Sequence, residues 1–337
     1  MAENQALQQY FDLLDESTAL LKESLSSSNV DALSENLNNI ANKEVFVENG
    51  APNEETVQKL NDIYKKMSDI NLTQTQLKQA ITISIIKSQR SDKTEVNKLM
   101  TPDTIGLISS VIGYEIIKKL DVKELNIIDP TVGTGNLLIE FIHQLKLAMD
   151  INVNAAAIDN DESLLSLTKV FGEVLNINLE AYLQDAIADW PIEDIQLAIA
   201  DLPVGYYPVD DNAIKFETKS ESGHSYAHHL LIEQTMDNLN DDGVGIFIVP
   251  SQIFQTEEAK ILSSWMVKSV YLQAVLDLPN NLFTSKEAQK SIVVLQKHGD
   301  HSKQTPNVLM GTIPDVNNIK EFEEFRKQIK KWSEETF

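Results

Sequence analysis

From residue 125 onward, short apolar runs rich in β-branched residues alternate with longer stretches of helical periodicity. That alternation restricts the fold more than anything else in the chain. The runs are Leu125–Ile128, Ala155–Ile158, Ala181–Leu183, Leu197–Ala200, Gly245–Val249, Ala274–Leu278 and Ser291–Gln296, and helical stretches at Leu137–Met149 and Glu162–Leu175 separate the early ones. Strands that read as continuous apolar runs are buried on both faces, so helices must cover both sides of the sheet they form. The pattern therefore predicts an α/β fold with a seven-stranded, mainly parallel sheet. Only Pro279–Lys286 separates the last two runs, too few residues for a crossover helix, so that pair is expected to run antiparallel, or to flank another strand as a hairpin. A terminal amphipathic helix is expected over Glu321–Trp332.

The first 95 residues carry a different period. Leu7, Phe11, Leu14, Leu21 and Leu25 share one helical face; Leu33, Leu37 and Ile40 share a second. Val57, Leu60, Ile63, Met67 and Ile70 form a third, and Leu77, Ala80, Ile81 and Ile85 a fourth. Gly50-Ala51-Pro52-Asn53 separates the second from the third and offers Asn53 as a helix cap. The division expected is a helical domain over 1–95 and an α/β domain over 96–337, the helices serving packing or docking of a protein partner.

Composition narrows the class of partner. With 337 residues, 42% hydrophobic and 7% aromatic, the chain has ample material for a buried core. It has no cysteine, hence no disulfide framework or thiolate metal site, and its N-terminus lacks the basic and apolar regions of a signal peptide. No run approaches a membrane span. A cytoplasmic location follows as the expectation. The formal net charge of −23 disfavours autonomous binding of nucleic acid, which needs a basic field unless a partner supplies recognition.

Two segments at expected strand ends carry the chemistry. The first, Asp129-Pro130-Thr131-Val132-Gly133-Thr134-Gly135-Asn136, is a glycine turn between strand and helix. Gly133 and Gly135 allow the tight bend and close backbone approach that a nucleotide-like cofactor requires. The sixth position of a dinucleotide fingerprint is Leu138 rather than Gly or Ala, which argues against a nicotinamide oxidoreductase. S-adenosylmethionine, lacking a pyrophosphate, has no such requirement. Asp159, with Asn160, ends the next strand where an acidic side chain accepts ribose hydroxyls. Asp185, followed by Ala186, is positioned to accept from an adenine amino group.

The second segment is Asp201-Leu202-Pro203-Val204. An amino group attacking a methyl sulfonium needs its lone pair in line with the sulfur–methyl bond. The Asp201 carboxylate and the Leu202–Pro203 backbone can hold the two N–H bonds and so aim that lone pair. Tyr206 and Tyr207 are candidates for an aromatic wall against a flat acceptor. His224, His228 and His229 have spacing that puts two of them on one helix face, but no Cys or carboxylate joins them, and no metal site is expected.

These residues resemble the gamma-type amino methyltransferases, particularly the modification subunits of type I restriction systems. Residues 129–136 look like that family's cofactor motif, and Thr101-Pro102-Asp103-Thr104-Ile105 resembles its upstream segment at the methionine end of the cofactor. Asp201-Leu202-Pro203-Val204 is similar to its Asn/Asp-Pro-Pro-aromatic motif, with Leu202 for the first proline and Val204 for the aromatic. Gly243–Pro250 and Leu278–Phe283 match later segments, so the likeness runs in order over roughly residues 95 to 300. It implies a class I, Rossmann-like fold and methylation of an exocyclic amino or amide nitrogen, most often adenine N6 in DNA. Asp129, Thr131, Gly133, Thr134, Gly135 and Asn136 would then approach the methionine part of the cofactor, with Thr101 and Pro102 beside them. Little chain follows Ser291–Gln296, so no target-recognition domain is expected in it. The alternatives are a catalytically degraded cofactor-binding module working through partners, or a methyltransferase acting on protein or RNA amino groups.

Overall fold

The computed structural model describes residues 2–120 and 122–337, with side chains from Gln5 onward. It divides into two compact units. One comprises Met1–Met100, Gly133–Asn136 and Asp161–Leu183; the other Thr101–Val132, Leu137–Asn160 and Gln184–Phe337.

The first unit begins with four helices: α1 (Ala2–Leu25), α2 (Asn29–Asn42), α3 (Glu54–Ser68) and α4 (Gln74–Asp92). Their starts are written in the sequence. Ser28 caps α2, Asn53 caps α3 by accepting from the Thr56 N–H, and Thr73 with Gln76 forms a reciprocal capping box on α4. Leu21, Ala32, Val45 and Leu60 form a buried apolar cluster. Beside it, the Asn36 amide donates to the Leu14 carbonyl and to the hydroxyls of Ser17 and Thr18, and accepts from Tyr64. That arrangement satisfies a side chain that would otherwise be costly to bury.

The remaining elements follow in chain order: α5 (Asp103–Leu120), β1 (Glu124–Asp129), α6 (Asn136–Ala148), β2 (Asn152–Asp159), α7 (Glu162–Val174), β3 (Asn178–Leu183) and β4 (Ile195–Asp201). After them come α8 (Asp210–Ala213), α9 (Ala227–Asn238), β5 (Leu239–Pro250), α10 (Ala259–Ser269), β6 (Val270–Asp277), β7 (Lys290–Lys297), β8 (Leu309–Thr312) and α11 (Ile319–Thr336). The sheet order is β3-β2-β1-β4-β5-β7-β6-β8. β1 pairs parallel with both β2 and β4, and β4 pairs parallel with β5. β7 is inserted antiparallel between β5 and β6, as the short Pro279–Lys286 connection requires.

Among the described residues the sheet has eight strands rather than the seven read from the sequence. The eighth, β8, pairs parallel with β6 from Leu309 to Thr312. It is four residues long, includes Gly311 and exposes Met310, so neither an apolar run nor a two-residue alternation marks it. Among the described residues no helix is long and apolar enough to cross a membrane.

Candidate active site

The chain leaves β1 toward β2 on one side, and β4 later joins β1 on the other. In an open parallel sheet a ligand crevice forms outside the carboxyl ends of the strands at such a reversal. Two carboxylates mark it, Asp129 closing β1 and Asp201 closing β4. Thr131 joins them: its N–H donates to Asp129 Oδ1 at 3.0 Å, and its hydroxyl donates to the Asp201 main-chain carbonyl at 3.4 Å. Burial drives the Asp129 carboxyl well above the usual carboxylate range. The Thr131 N–H opposes that shift, and the charges of Asp159 and Asp201 add to it.

Between β1 and α6 the chain bends with Gly133 at φ +53° and Gly135 at φ +78°, in the left-handed region where side chains are strained. The two glycines have different reasons to be there. A Cβ on Gly135 would stand 2.8 Å from Thr168 Cγ2, whose own hydroxyl donates to the Gly133 carbonyl at 2.7 Å. A Cβ on Gly133 would meet nothing within 4 Å. The bend is thus clamped from α7 on one side and open at Gly133, a cradle that fits a cofactor needing close backbone approach. Thr134 and Asn136 are buried, and Asn136 Oδ1 accepts from the Thr82 hydroxyl at 3.2 Å, so these two shape the bend from within.

Asp159 is half-buried at the end of β2 and its carbonyl accepts from the Gln184 N–H; Asn160 is exposed. Asp185 is held on both oxygens, by the Ile187 N–H on Oδ1 and the Tyr207 hydroxyl on Oδ2. Ala186 is buried beside it. Burial first, then the bond to Asp185, pushes the Tyr207 phenol up to about 12, while Asn212 donates to the same oxygen.

Tyr207 is therefore not an aromatic wall. It is buried, and its hydroxyl positions a carboxylate. Tyr206 is exposed and stacks on Tyr226 with centroids 4.8 Å apart and planes 10° apart. Tyr226 stacks in turn on His228. The imidazole of His228 hydrogen-bonds the Pro203 carbonyl, and burial lowers its pKa to about 4. His229 is fully buried and lowered to about 3, by burial and by His228. His224 instead lies at the surface against Asp210. No group of three His, Cys, Asp or Glu side chains able to hold a metal occurs among the described residues.

The Asp201 carboxylate is engaged on both oxygens. Thr101, at the start of α5, donates its hydroxyl to Oδ2 at 2.8 Å, while Pro102 contributes the carbonyl that accepts from the Ile105 N–H. The Lys290 ammonium sits on Oδ1, with both side chains mostly shielded. The Leu202 N–H is spent on the Ile248 carbonyl, and Val204 is 48% exposed. Lys290 was not legible as a site residue. It lies 89 residues from Asp201, and nothing in its local sequence separates it from a solvent-facing lysine at a strand end. The antiparallel course of β7 brings its first residue opposite Pro250, the last of β5, at the end of the sheet where β4 finishes.

A sheet with this strand order, and a glycine bend after its first strand, defines a class I methyltransferase fold. The chain belongs to the N-6 DNA methylase family, whose profile matches residues 85–336. A second profile, the YtxK N-terminal helical domain, matches residues 8–89. The chain is 32% identical over 326 residues to the uncharacterised protein YtxK of Bacillus subtilis, covering 96% of each. It is equally 32% identical to a crystal structure from Listeria monocytogenes assigned to the class I S-adenosylmethionine-dependent methyltransferases. That match has a TM-score of 0.88 over 98% of this chain and 99% of the other. A type I restriction-modification methyltransferase subunit from Streptococcus thermophilus shares the fold at 14% identity, with a TM-score of 0.63 over 94% of this chain and 73% of that one.

Proposed function

We propose that this chain transfers a methyl group from S-adenosylmethionine to an exocyclic amino or amide nitrogen, adenine N6 in DNA being the first acceptor to test. The observation that carries the reading is the pair of strand-end carboxylates, Asp129 and Asp201, joined through Thr131, with the open bend at Gly133 following two residues later in the chain. The family and the Listeria structure support S-adenosylmethionine as the cofactor. The cofactor supplies an electrophilic methyl group; the protein has only to bind it and aim an acceptor.

On this reading Gly133 and Gly135 bring the backbone against the methionine part, and Thr101, Pro102 and Thr131 flank it. Asp159 and Asn160 take the ribose. Asp185, held by Tyr207, faces the adenine with Ala186. Asp201 accepts one N–H of the acceptor and a backbone carbonyl of the Leu202–Pro203 turn the other, which directs the nitrogen lone pair at the methyl carbon. Restricting the acceptor's orientation and stabilising the positive charge that grows on its nitrogen are the two contributions of this machinery. The division of labour follows the sequence: helices over 1–95 for partners and residues 96–337 for chemistry, in the cytoplasm. A net charge of −23 makes a protein partner the source of any DNA recognition.

The test is isotope-labelled S-adenosylmethionine offered with separate DNA, RNA and protein pools, for the wild type and Asp201→Ala. The variant is expected to lose transfer and to keep cofactor affinity within a few-fold. A cofactor loss above about tenfold, ~1.4 kcal/mol, contradicts the roles assigned here. One observation favours a second reading: Lys290 and Thr101 already occupy both Asp201 oxygens, as in a binding module without turnover. Cofactor binding with no label in any pool selects it.

A further inference from the structure

Resting on the methyltransferase reading, we infer that Lys290 occupies the acceptor seat: its ammonium holds the place on Asp201 that an acceptor amine must take, so Lys290 decides which amines enter. Three observations carry this. The Lys290 ammonium lies on Asp201 Oδ1, and the Thr101 hydroxyl lies on Oδ2 at 2.8 Å. The two charged side chains keep only 23% and 17% of their surface, so water screens the pair poorly and a neutral amine displaces it at a disadvantage. The position that follows the Asp201-Leu202-Pro203 turn carries no ring to draw in a flat acceptor: residue 204 is an exposed valine, Tyr207 is turned onto Asp185, and the exposed Tyr206 is stacked on Tyr226.

An ordinary structural ion pair requires nothing of its location. This one joins the carboxylate at the end of β4, in the reversal crevice, to an alkylamine. It also sets a positive charge where the acceptor nitrogen becomes positive during transfer, and like charges there oppose the reaction. Turnover therefore requires the flexible lysine stem to swing off Asp201. The seat itself has the shape and charge complement of a primary alkylamine, because one already fills it.

Truncating Lys290→Ala removes the Cγ, Cδ, Cε and Nζ atoms, a fragment that n-propylamine replaces. At pH 9.5 a useful share of that amine is the free base. Its nitrogen lone pair forms the bond to the methyl carbon as the carbon–sulfur bond breaks. The bonding pair leaves on sulfur, giving neutral S-adenosylhomocysteine, and the N-methylpropylammonium product releases its proton to solvent. The experiment is mass-spectrometric detection of N-methylpropylamine and S-adenosylhomocysteine from full-length protein, S-adenosylmethionine and n-propylamine. Calorimetry of cofactor binding and far-UV circular dichroism accompany each variant.

Lys290→Ala is expected to form both products at least tenfold faster than the wild type, and only with the amine present. Lys290→Met, which keeps the stem volume and removes the charge, is expected to leave no room for the amine and to give no rescue. The double variant Lys290→Ala, Asp201→Asn is expected to give none. A folded Lys290→Ala that binds cofactor yet forms no amine-dependent product overturns the inference, as does product that persists in the double variant. Failure of the wild type and Lys290→Ala to bind S-adenosylmethionine is a separate result, which removes the methyltransferase reading and this inference with it.

Discussion

The glycine bend makes a prediction in which two adjacent substitutions separate packing from binding. Both Gly133→Ala and Gly135→Ala place a side chain at positive φ, φ +53° and φ +78° respectively, a strain of about 1–2 kcal/mol each. At residue 133 nothing further is added, because the new methyl meets no atom within 4 Å. At residue 135 the methyl would stand 2.8 Å from Thr168 Cγ2 and 2.9 Å from its hydroxyl oxygen, so Thr168 must move. Overpacking of that kind costs about 1–3 kcal/mol, and loss of the Thr168 hydrogen bond to the Gly133 carbonyl about 1 more. Gly135→Ala is thus expected to lose about 4 kcal/mol, a large part of a typical domain's ~5–15. Gly133→Ala is expected to lose about 1–2 kcal/mol. Urea unfolding followed by far-UV circular dichroism measures both losses. In calorimetry the order reverses in meaning: Gly133→Ala keeps the fold and weakens S-adenosylmethionine by at least about tenfold, because the methyl fills the cradle. Equal destabilisation by the two substitutions, or unchanged cofactor affinity in Gly133→Ala, refutes the division between clamp and cradle.

Two further outcomes follow from the same site. His228 and His229 are held at about 4 and about 3, below the ~6.5 of an unfolded histidine. The unfolded chain therefore takes up their protons first. The stability they contribute is complete above pH 6.5 and is lost as pH falls toward 3, at up to about 1.4 kcal/mol per pH unit for each histidine. Both ring nitrogens of His229 lack a partner, so His229→Leu is expected to raise stability at pH 7 and to flatten its slope between pH 6.5 and 4; urea midpoints across that range measure it, and an unchanged slope counts against the assignment. Tyr207→Phe deletes the hydroxyl that holds Asp185, and is expected to weaken S-adenosylmethionine several-fold at a stability cost of about 1 kcal/mol. Cofactor binding indifferent to that substitution removes Asp185 from the adenine subsite.

Periodicity and composition by themselves determined the four amino-terminal helices, their Asn53 break, the mainly parallel α/β sheet and the antiparallel final pair. Those features depend on local backbone geometry and on which face of each element must leave water, and neighbouring residues record both. The glycine bend was legible for the same reason: a left-handed backbone excludes most side chains, so glycine itself is the signal. β8 was not legible, because a four-residue edge strand buries too little to impose a pattern. Tertiary structure alone decided what each site carboxylate touches. Thr101 and Lys290 reach Asp201 from 100 and 89 residues away. Tyr207 abandons the wall for Asp185, and His228 closes on the Pro203 carbonyl. The Lys290 contact arises because β7 runs antiparallel to β5 and so begins at the end of the sheet where β4 finishes. A lysine that will meet a carboxylate there has the same neighbours in sequence as one that will meet only solvent.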